Sequence, residues 1–437
     1  MAENEPTLKP ANQNPWYILM TLYGEQEGEI PDQNLALRNR RMWNAWACQS
    51  LTPEYLSQIA EYVGVELAEL QNWDAMKEEI RQLHKSEMKT RNSNGFEYCG
   101  LPEVNDGIDF AQTHLPNTLV LEKAILAGPV WCHSAHFDRG VWMRNSLFLS
   151  SAGFLLVKFK RRAHFDSARF CDGATFLSSS FFDGAGFSRV EIFGDAEFSY
   201  AGFGGSTYFT GAMFGSGGMP VKEKVSFTDC QFDMHLSFRD ATFRNSFPEL
   251  TGAVLHDKTV FTANVENWPN CPQFDPEQAR ASCGRIRHEF GQQGLPEEEH
   301  FFYRREMGFA GQIGGWWERL PYRAFGWVSD YGFSIWRPVA WLGALWLVPS
   351  LFYMVYFNWI AAMGGGMEGV EVGRFDSASL SFASMFKFLG LQRLHFGAEY
   401  IQALPSFLEL LTAVQSMFGI VLLFFLGLGL RTRFRLR

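Results

Sequence analysis

At 437 residues the chain is long enough for two or three domains, and its net charge of -9 excludes a basic nucleic-acid footprint over the whole chain. Its seven cysteines (Cys48, Cys99, Cys132, Cys171, Cys230, Cys271 and Cys283) are odd in number and form no C-x-x-C pair. They read as reduced thiols, which excludes a disulfide framework and a zinc framework. Phenylalanine is abundant at 42 residues, and most of that excess falls in one stretch.

In chain order, residues 1–14 read as a disordered tail without the apolar core of a signal peptide. The segments Asn14–Gln26 and Arg38–Leu51 follow. In the second, Trp43, Trp46 and Leu51, with Arg38, Arg40 and Arg41 nearby, mark an amphipathic helix. It is either the core of a small helical region or a basic-aromatic face at a membrane surface. Thr52 and Pro53 mark the next helix start, as N-cap and first helical residue. Glu54, Glu61, Glu66 and Glu69 on that segment would repel phosphate, so nucleic acid is not an expected partner. A charged helix ends before Asn92, and the stretch from Cys99 to about Val130 is expected to form capping coils. Residues 1–98 are therefore assigned to an N-terminal helical region and 99–265 to a repeat domain.

From Ala152 to Phe243 a phenylalanine returns every five or six residues. The series is Phe154, Phe159, Phe165, Phe170, Phe176, Phe182, Phe187, Phe193, Phe198, Phe203, Phe209 and Phe214. After a Gly/Pro-rich interruption it resumes at Phe227, Phe232, Phe238 and Phe243. A small residue stands two positions earlier, as at Ala152, Ala163, Ala174, Ser180 and Ala185. Neither the helical period nor the strand period puts such residues on one face, so a solenoid with inward phenylalanines is expected. Its core is assigned to Phe154, Phe165, Phe176, Phe187, Phe198 and Phe209. These units resemble the phenylalanine-centred repeats of pentapeptide-repeat proteins. The resemblance implies a right-handed quadrilateral β-helix and leaves function open.

Residues 266–337 read as a helical linker, with helix starts at Pro276 and Pro296, and an aromatic interfacial segment over Trp316–Pro338. Within 338–437, Pro338–Ala362 and Phe407–Leu430 are each long and apolar enough to cross a ~30 Å hydrocarbon core. Arg319, Arg323 and Arg337 precede the first span, and Arg431, Arg433, Arg435 and Arg437 follow the second. The positive-inside rule then puts both termini in the cytoplasm.

Between the spans, Ser377–Leu391 is a helix candidate too short to cross, followed by a polar, extended stretch. This layout, from Glu299 to the end, resembles the ion-channel-like tail of many bacterial pentapeptide-repeat proteins, and so implies an inner-membrane location. It departs where potassium channels carry TVGYG. Here Leu389, Gly390, Leu391, Gln392 and Arg393 occupy the re-entrant or filter region. On the second span Glu409, Ser416 and Gly427 fall near one side with Thr412 flanking, a candidate pore-lining stripe. Glu409 is only two residues into the span, and solvation at headgroup depth is the preferred reading for it over pore lining.

No Walker A, dinucleotide-binding or nucleophile-elbow motif occurs, so no enzyme and no cofactor is expected. His133, His136 and His164, near Cys132 and Cys171, lack metal-ligand spacing. Between Phe137 and Ala263 there are 13 acidic and 13 basic residues, which argues against DNA mimicry. The expected protein is a homo-oligomer in the lipid bilayer, a tetramer by analogy with two-span channels, with weak cation selectivity. The alternative is a non-conducting anchored scaffold. A cytoplasmic protein partner for the solenoid remains open in both.

Overall fold

The computed structural model describes residues 8–92, 98, 100–216, 222–269, 275–362, 376–402 and 404–434. They divide into two units, Met1–Glu306 and Met307–Arg437, each taken by itself.

The first unit is built on a four-faced parallel β-solenoid of about seven turns, running from Ile108–Asp109 to Val260–Phe261. Its strands are mostly two residues long, and each pairs with one 22 residues further on, as Ala152 does with Ala174 and Ala174 with Ala196. A coil is therefore 22 residues, divided into sides of alternately six and five. The sixth residue takes a left-handed turn: positive φ recurs every eleven residues at Gln112, Lys123, Ser134, Asn145, Leu156, Ser167, Ser178, Arg189 and Tyr200. For Leu156 or Tyr200 this conformation costs roughly 1 kcal/mol. The stack holds it in place, because each turn's N–H donates to the next coil (Ser134 to Leu155 O at 2.8 Å, Ser167 to Ser188 O at 2.7 Å).

Strict alternation corrects two positions of the expected series. Counting five from Phe176 reaches Phe181, and five from Phe187 reaches Ile192; both are fully buried. Phe182 is 59% exposed instead, and Phe193 lies outward with the Arg169 guanidinium 5.3 Å from its ring centre. The small inward residue is likewise Ser179, not Ser180, and the Ser179 hydroxyl accepts from Val157 N–H at 3.1 Å. The interruption after Phe214 lengthens the register from 22 to 29 residues (Ala196 with Val225, Phe203 with Phe232), an insertion of seven that leaves the stack continuous. Part of that insertion, 217–221, lies outside the described residues.

The helical region packs on this stack. It comprises α1 (Pro15–Met20), α2 (Gln33–Ala47), α3 (Pro53–Val63), α4 (Leu67–Leu70) and α5 (Trp73–Arg91). Trp43 and Trp46 are buried in a core, and Trp43 Nε1 donates to Ile125 O of the solenoid at 2.9 Å. Of the two readings of that helix, the structure supports the core. Arg40 meets Glu69 in a two-pronged pair at 3.0 Å, and Cys48, Ile59, Val63 and Leu70 pack on Ile125 and Leu147. The expected disordered tail is ordered from Lys9, because Lys9–Pro10 adds a strand to the open coil at Thr113–His114. Pro10 has no N–H to offer a further strand, which suits this edge.

At the other end, the expected linker helices α6 (Pro276–Gln293) and α7 (Pro296–Ala310) cover the last coil. Trp268 stacks on Phe243 at 5.0 Å, and Phe302 meets Trp268 edge-on at 4.9 Å. Carbonyls that a further coil would have bonded are taken by side chains. Ser282 donates to Pro248 O at 2.6 Å, Arg285 to Ala253 O at 3.1 Å and Gln293 to Thr259 O at 2.7 Å.

The second unit is helical: α8 (Trp316–Ser329), α9 (Trp336–Ala362), α10 (Asp376–Met385), α11 (Leu391–Gln402) and α12 (Ser406–Phe434). α9 and α12 are long and apolar enough to cross a membrane. α11 corrects the expected extended stretch. Phe396 and Tyr400, four apart, give that segment an apolar side against the cluster of α9 and α12, and the chain departs from helix only at Gly397, with φ 76° and ψ 170°.

Phe176→Ala is expected to cost about 3–5 kcal/mol of solenoid stability and Phe182→Ala less than about 1 kcal/mol. Thermal unfolding followed by circular dichroism separates them. His84, fully buried, donates from Nε2 to Pro15 O at 3.2 Å, and burial lowers its pKa below the ordinary 6.5. The unfolded chain then binds the proton more readily, so this contribution is complete above the unfolded value of about 6.5 and is lost as pH falls through the folded one. Hydrogen-exchange protection in α5, after correction for the intrinsic pH dependence of amide exchange, should fall between pH 7 and pH 5, and His84→Gln should flatten that dependence.

Candidate functional site

On the solenoid the polar residues serve the coil. Asp166 accepts from Ser188 N–H at 3.1 Å and lies 3.6 Å from Arg144. Burial pulls its carboxyl upward, yet His164, the Ser188 N–H and Arg144 outweigh it and hold it below the usual range. Asp172, Asp183 and Asp195 are exposed. Burial pushes the Cys48 and Cys230 thiols up to about 12, which makes them poor nucleophiles at neutral pH. No group of three His, Cys, Asp or Glu side chains suited to a metal occurs among the described residues.

The arrangement with functional character lies in the second unit. Leu380 of α10 joins Tyr353 and Phe357 of α9, Tyr400 of α11, and Leu404 and Leu408 in one apolar cluster near the start of α12. One turn on, Ser381 meets Gln415, and at the end of α10 the Met385 carbonyl lies against Gly419, half-way along α12. A side chain at 419 would place Cβ 2.5 Å from that oxygen, so glycine is needed for the approach. The chain turns at Lys387–Leu389 and Gly390 and returns through α11 to the end it came from. Residues 376–402 are thus a helical hairpin whose first arm, α10, is wedged between α9 and α12.

A buried polar knot holds the wedge. Gln415, 1% exposed, accepts from Tyr353 Oη at 3.2 Å. Its amide NH2 reaches Leu345 O at 2.9 Å, Ser381 O at 2.9 Å and Ser381 Oγ at 2.7 Å. Ser381 Oγ donates to Trp346 O at 2.7 Å, and Trp346 Nε1 to Ala378 O at 3.0 Å. Three helices are joined through one carboxamide. Gln415 was not singled out from the sequence, although a lone glutamine inside an apolar span is a legible signal.

The expected pore-lining residues divide between two environments. Thr412 and Ser416 are buried against α9 and α10, whereas Glu409 and Gly427 are exposed. Of the expected filter region, Leu389 and Arg393 are exposed, and Gly390 makes the left-handed turn with φ 74°. Gln392 is 2% exposed with neither amide atom hydrogen-bonded. Leu391 lines an open, largely apolar pocket of about 480 Å³ with Trp346, Ala378, Phe382, Ala383 and His395. Of the Trp316–Pro338 segment, Trp316–Ser329 forms α8, which exposes Trp316, Trp317, Leu320 and Trp327, and the last three residues open α9. Of the basic residues flanking the spans, Arg374, Arg435 and Arg437 lie outside the described residues, as does the connecting loop 363–375.

In comparisons with known proteins, no family model, no curated protein and no solved structure matches the chain.

Gln415→Leu is expected to destabilise the helical unit by about 1–2 kcal/mol, the range for a buried hydrogen-bonding group lost within a membrane bundle. Gln415→Glu should cost more, because a carboxylate cannot donate to Leu345 O and Ser381 O. Detergent-phase melting of the full chain ranks the two variants.

Proposed function

We propose that this is a membrane-anchored β-solenoid protein whose C-terminal hairpins assemble into a channel-like oligomer, four by analogy with two-span channels. The observation that carries the reading is the re-entrant hairpin 376–402, which ends half-way along α12 in a polar turn. Backbone and polar side chains at membrane depth must be satisfied by protein or by cavity water. Arg393, exposed in the first turn of α11, would be satisfied by neighbouring protomers or by a water-filled axis. The apolar pocket beside Trp346 and Leu391 gives an adjoining hairpin a seat. Such an axis would be lined by the exposed side of α12 and by the hairpin turn, with Glu409 at the mouth. The arginines before α9 and after α12 support cytoplasmic termini in a bacterial inner membrane, and hence a cytoplasmic solenoid open to a protein partner. The phenylalanine ladder supports the likeness to pentapeptide-repeat proteins.

A second reading, an anchored scaffold that passes no ions, is favoured by the outer face of α12. Leu410, Met417, Phe418 and Phe424 are exposed there and suit lipid as well as they suit a neighbour. Cysteine cross-linking in native membranes distinguishes the two. Gly427→Cys is expected to give disulfide-linked dimers, and reconstituted protein is expected to pass ions. Stable monomers that conduct nothing would leave the anchored scaffold.

A further inference from the structure

The hairpin turn carries positive charge at a depth where charge is expensive. Lys387 opens the turn and Arg393 follows it. Neither has an ion-pair partner among the described residues. Their level follows from the glycines of α12. Gly419 packs on Met385, and Gly429 packs on Ser334 O, two residues before α9 begins. Ten residues of helix separate those two glycines, roughly 15 Å, or half of a ~30 Å hydrocarbon core. A side chain charged at that depth faces a bundle interior or water, not lipid.

Among the described side chains of α9 to α12, acidic residues are remote from the turn. In α9, α10 and α12 they are Asp376 and Glu409, both at the opposite end of the hairpin, and the side chain of Glu399 in α11 lies outside the described residues. Helix dipoles do not offset the charge either. The carbonyl end of α10 and the amide end of α11 meet at the turn, with partial charges of about half a unit and opposite sign.

Resting on the oligomeric reading above, we infer that Lys387 and Arg393 from neighbouring protomers form a ring that concentrates small inorganic anions of the chloride type. This reverses the cation preference expected from Glu409. That carboxylate lies in the first turn of α12, at headgroup level, where salt screens it within about 8 Å. The ring sits in a region of lower dielectric, where each charge acts further.

The test places a thiol in the turn with Leu389→Cys, an exposed position, in the full chain in membrane vesicles. Its modification by an anionic and by a cationic methanethiosulfonate reagent is followed by mass spectrometry of the turn peptide. The anionic reagent is expected to react about 10-fold faster than the cationic one, after correction for their rates on a free thiol, as a potential of about 1 kT acting on charges of opposite sign requires. Adding Lys387→Gln and Arg393→Gln should abolish the preference. In a potassium chloride gradient the reversal potential should lie toward chloride and move toward potassium in Arg393→Gln. Equal rates, a faster cationic reagent or an unreactive thiol would overturn the anion ring even where Gly427→Cys still cross-links. Failure of that cross-link would overturn the assembly itself.

Discussion

The structure depends on a coincidence of lengths. Parallel strands in a ladder stand about 4.8 Å apart, and flat aromatic rings stack at nearly the same distance. In the solenoid the two repeats are the same repeat. Phe154, Phe176, Phe198 and Phe227 stack at 4.8, 4.9 and 5.0 Å, and Phe159, Phe181, Phe203 and Phe232 at 4.7 Å throughout. Each ring lies nearly parallel to the one below, and rings of adjoining columns meet edge-on, as Phe165 does with Phe176 at 75°. A strand of two residues would be worthless alone. Repeated coil upon coil over columns of rings, it becomes a rigid prism, and the left-handed turn every eleven residues is stabilised by the same stacking.

Such a prism has a difficulty only at its ends, where the next coil is missing. The chain treats the two ends differently. At the first, backbone substitutes for backbone, since Lys9–Pro10 pairs with Thr113–His114. At the last, side chains substitute for backbone, and Ser282, Arg285 and Gln293 of α6 reach carbonyls in place of amides. Trp268 then closes the aromatic column over Phe243. A tryptophan covers more area than the ring below it, and its Nε1–H, bonded to Thr262 O at 2.7 Å, is satisfied in doing so.

The solenoid was legible because its period is written in one residue type. The exact phase was not. Phe181 and Phe182 are adjacent, and only the alternation of five and six decides which turns inward; at Ile192 and Phe193 composition points the wrong way. The left-handed turn positions were hidden for a similar reason. Leu156, Arg189 and Tyr200 carry none of the glycine or asparagine signal that such φ values usually leave. The two apolar helices were equally plain. The path between them was not, because a half-buried helix such as α11, with Gln392, Arg393 and His395 among its apolar residues, reads as polar chain until its partners are known. The cap role of α6 was invisible for the same reason: nothing local marks Ser282 or Gln293 as bonding to a coil over thirty residues away.

The second unit shows how polar groups in an apolar setting sort by whether one protomer can satisfy them. Gln415 has two donors and an acceptor, and every one finds a partner on α9 or α10. It behaves as structure, and its worth is specificity: only one register of α10 brings Ser381 to it. Gln392 has the same side chain, nearly the same burial, and no partner at all. A buried carboxamide left open costs about 1–3 kcal/mol, more than a short hairpin holds in reserve. The two glutamines therefore cannot have the same explanation. The first completes the fold of one chain. The second lies in the first turn of α11, next to Arg393, and its amide atoms are closed off from solvent without a hydrogen bond. The two glutamines thus differ in what the single chain supplies them, one bonded to two neighbouring helices and one buried without a bond.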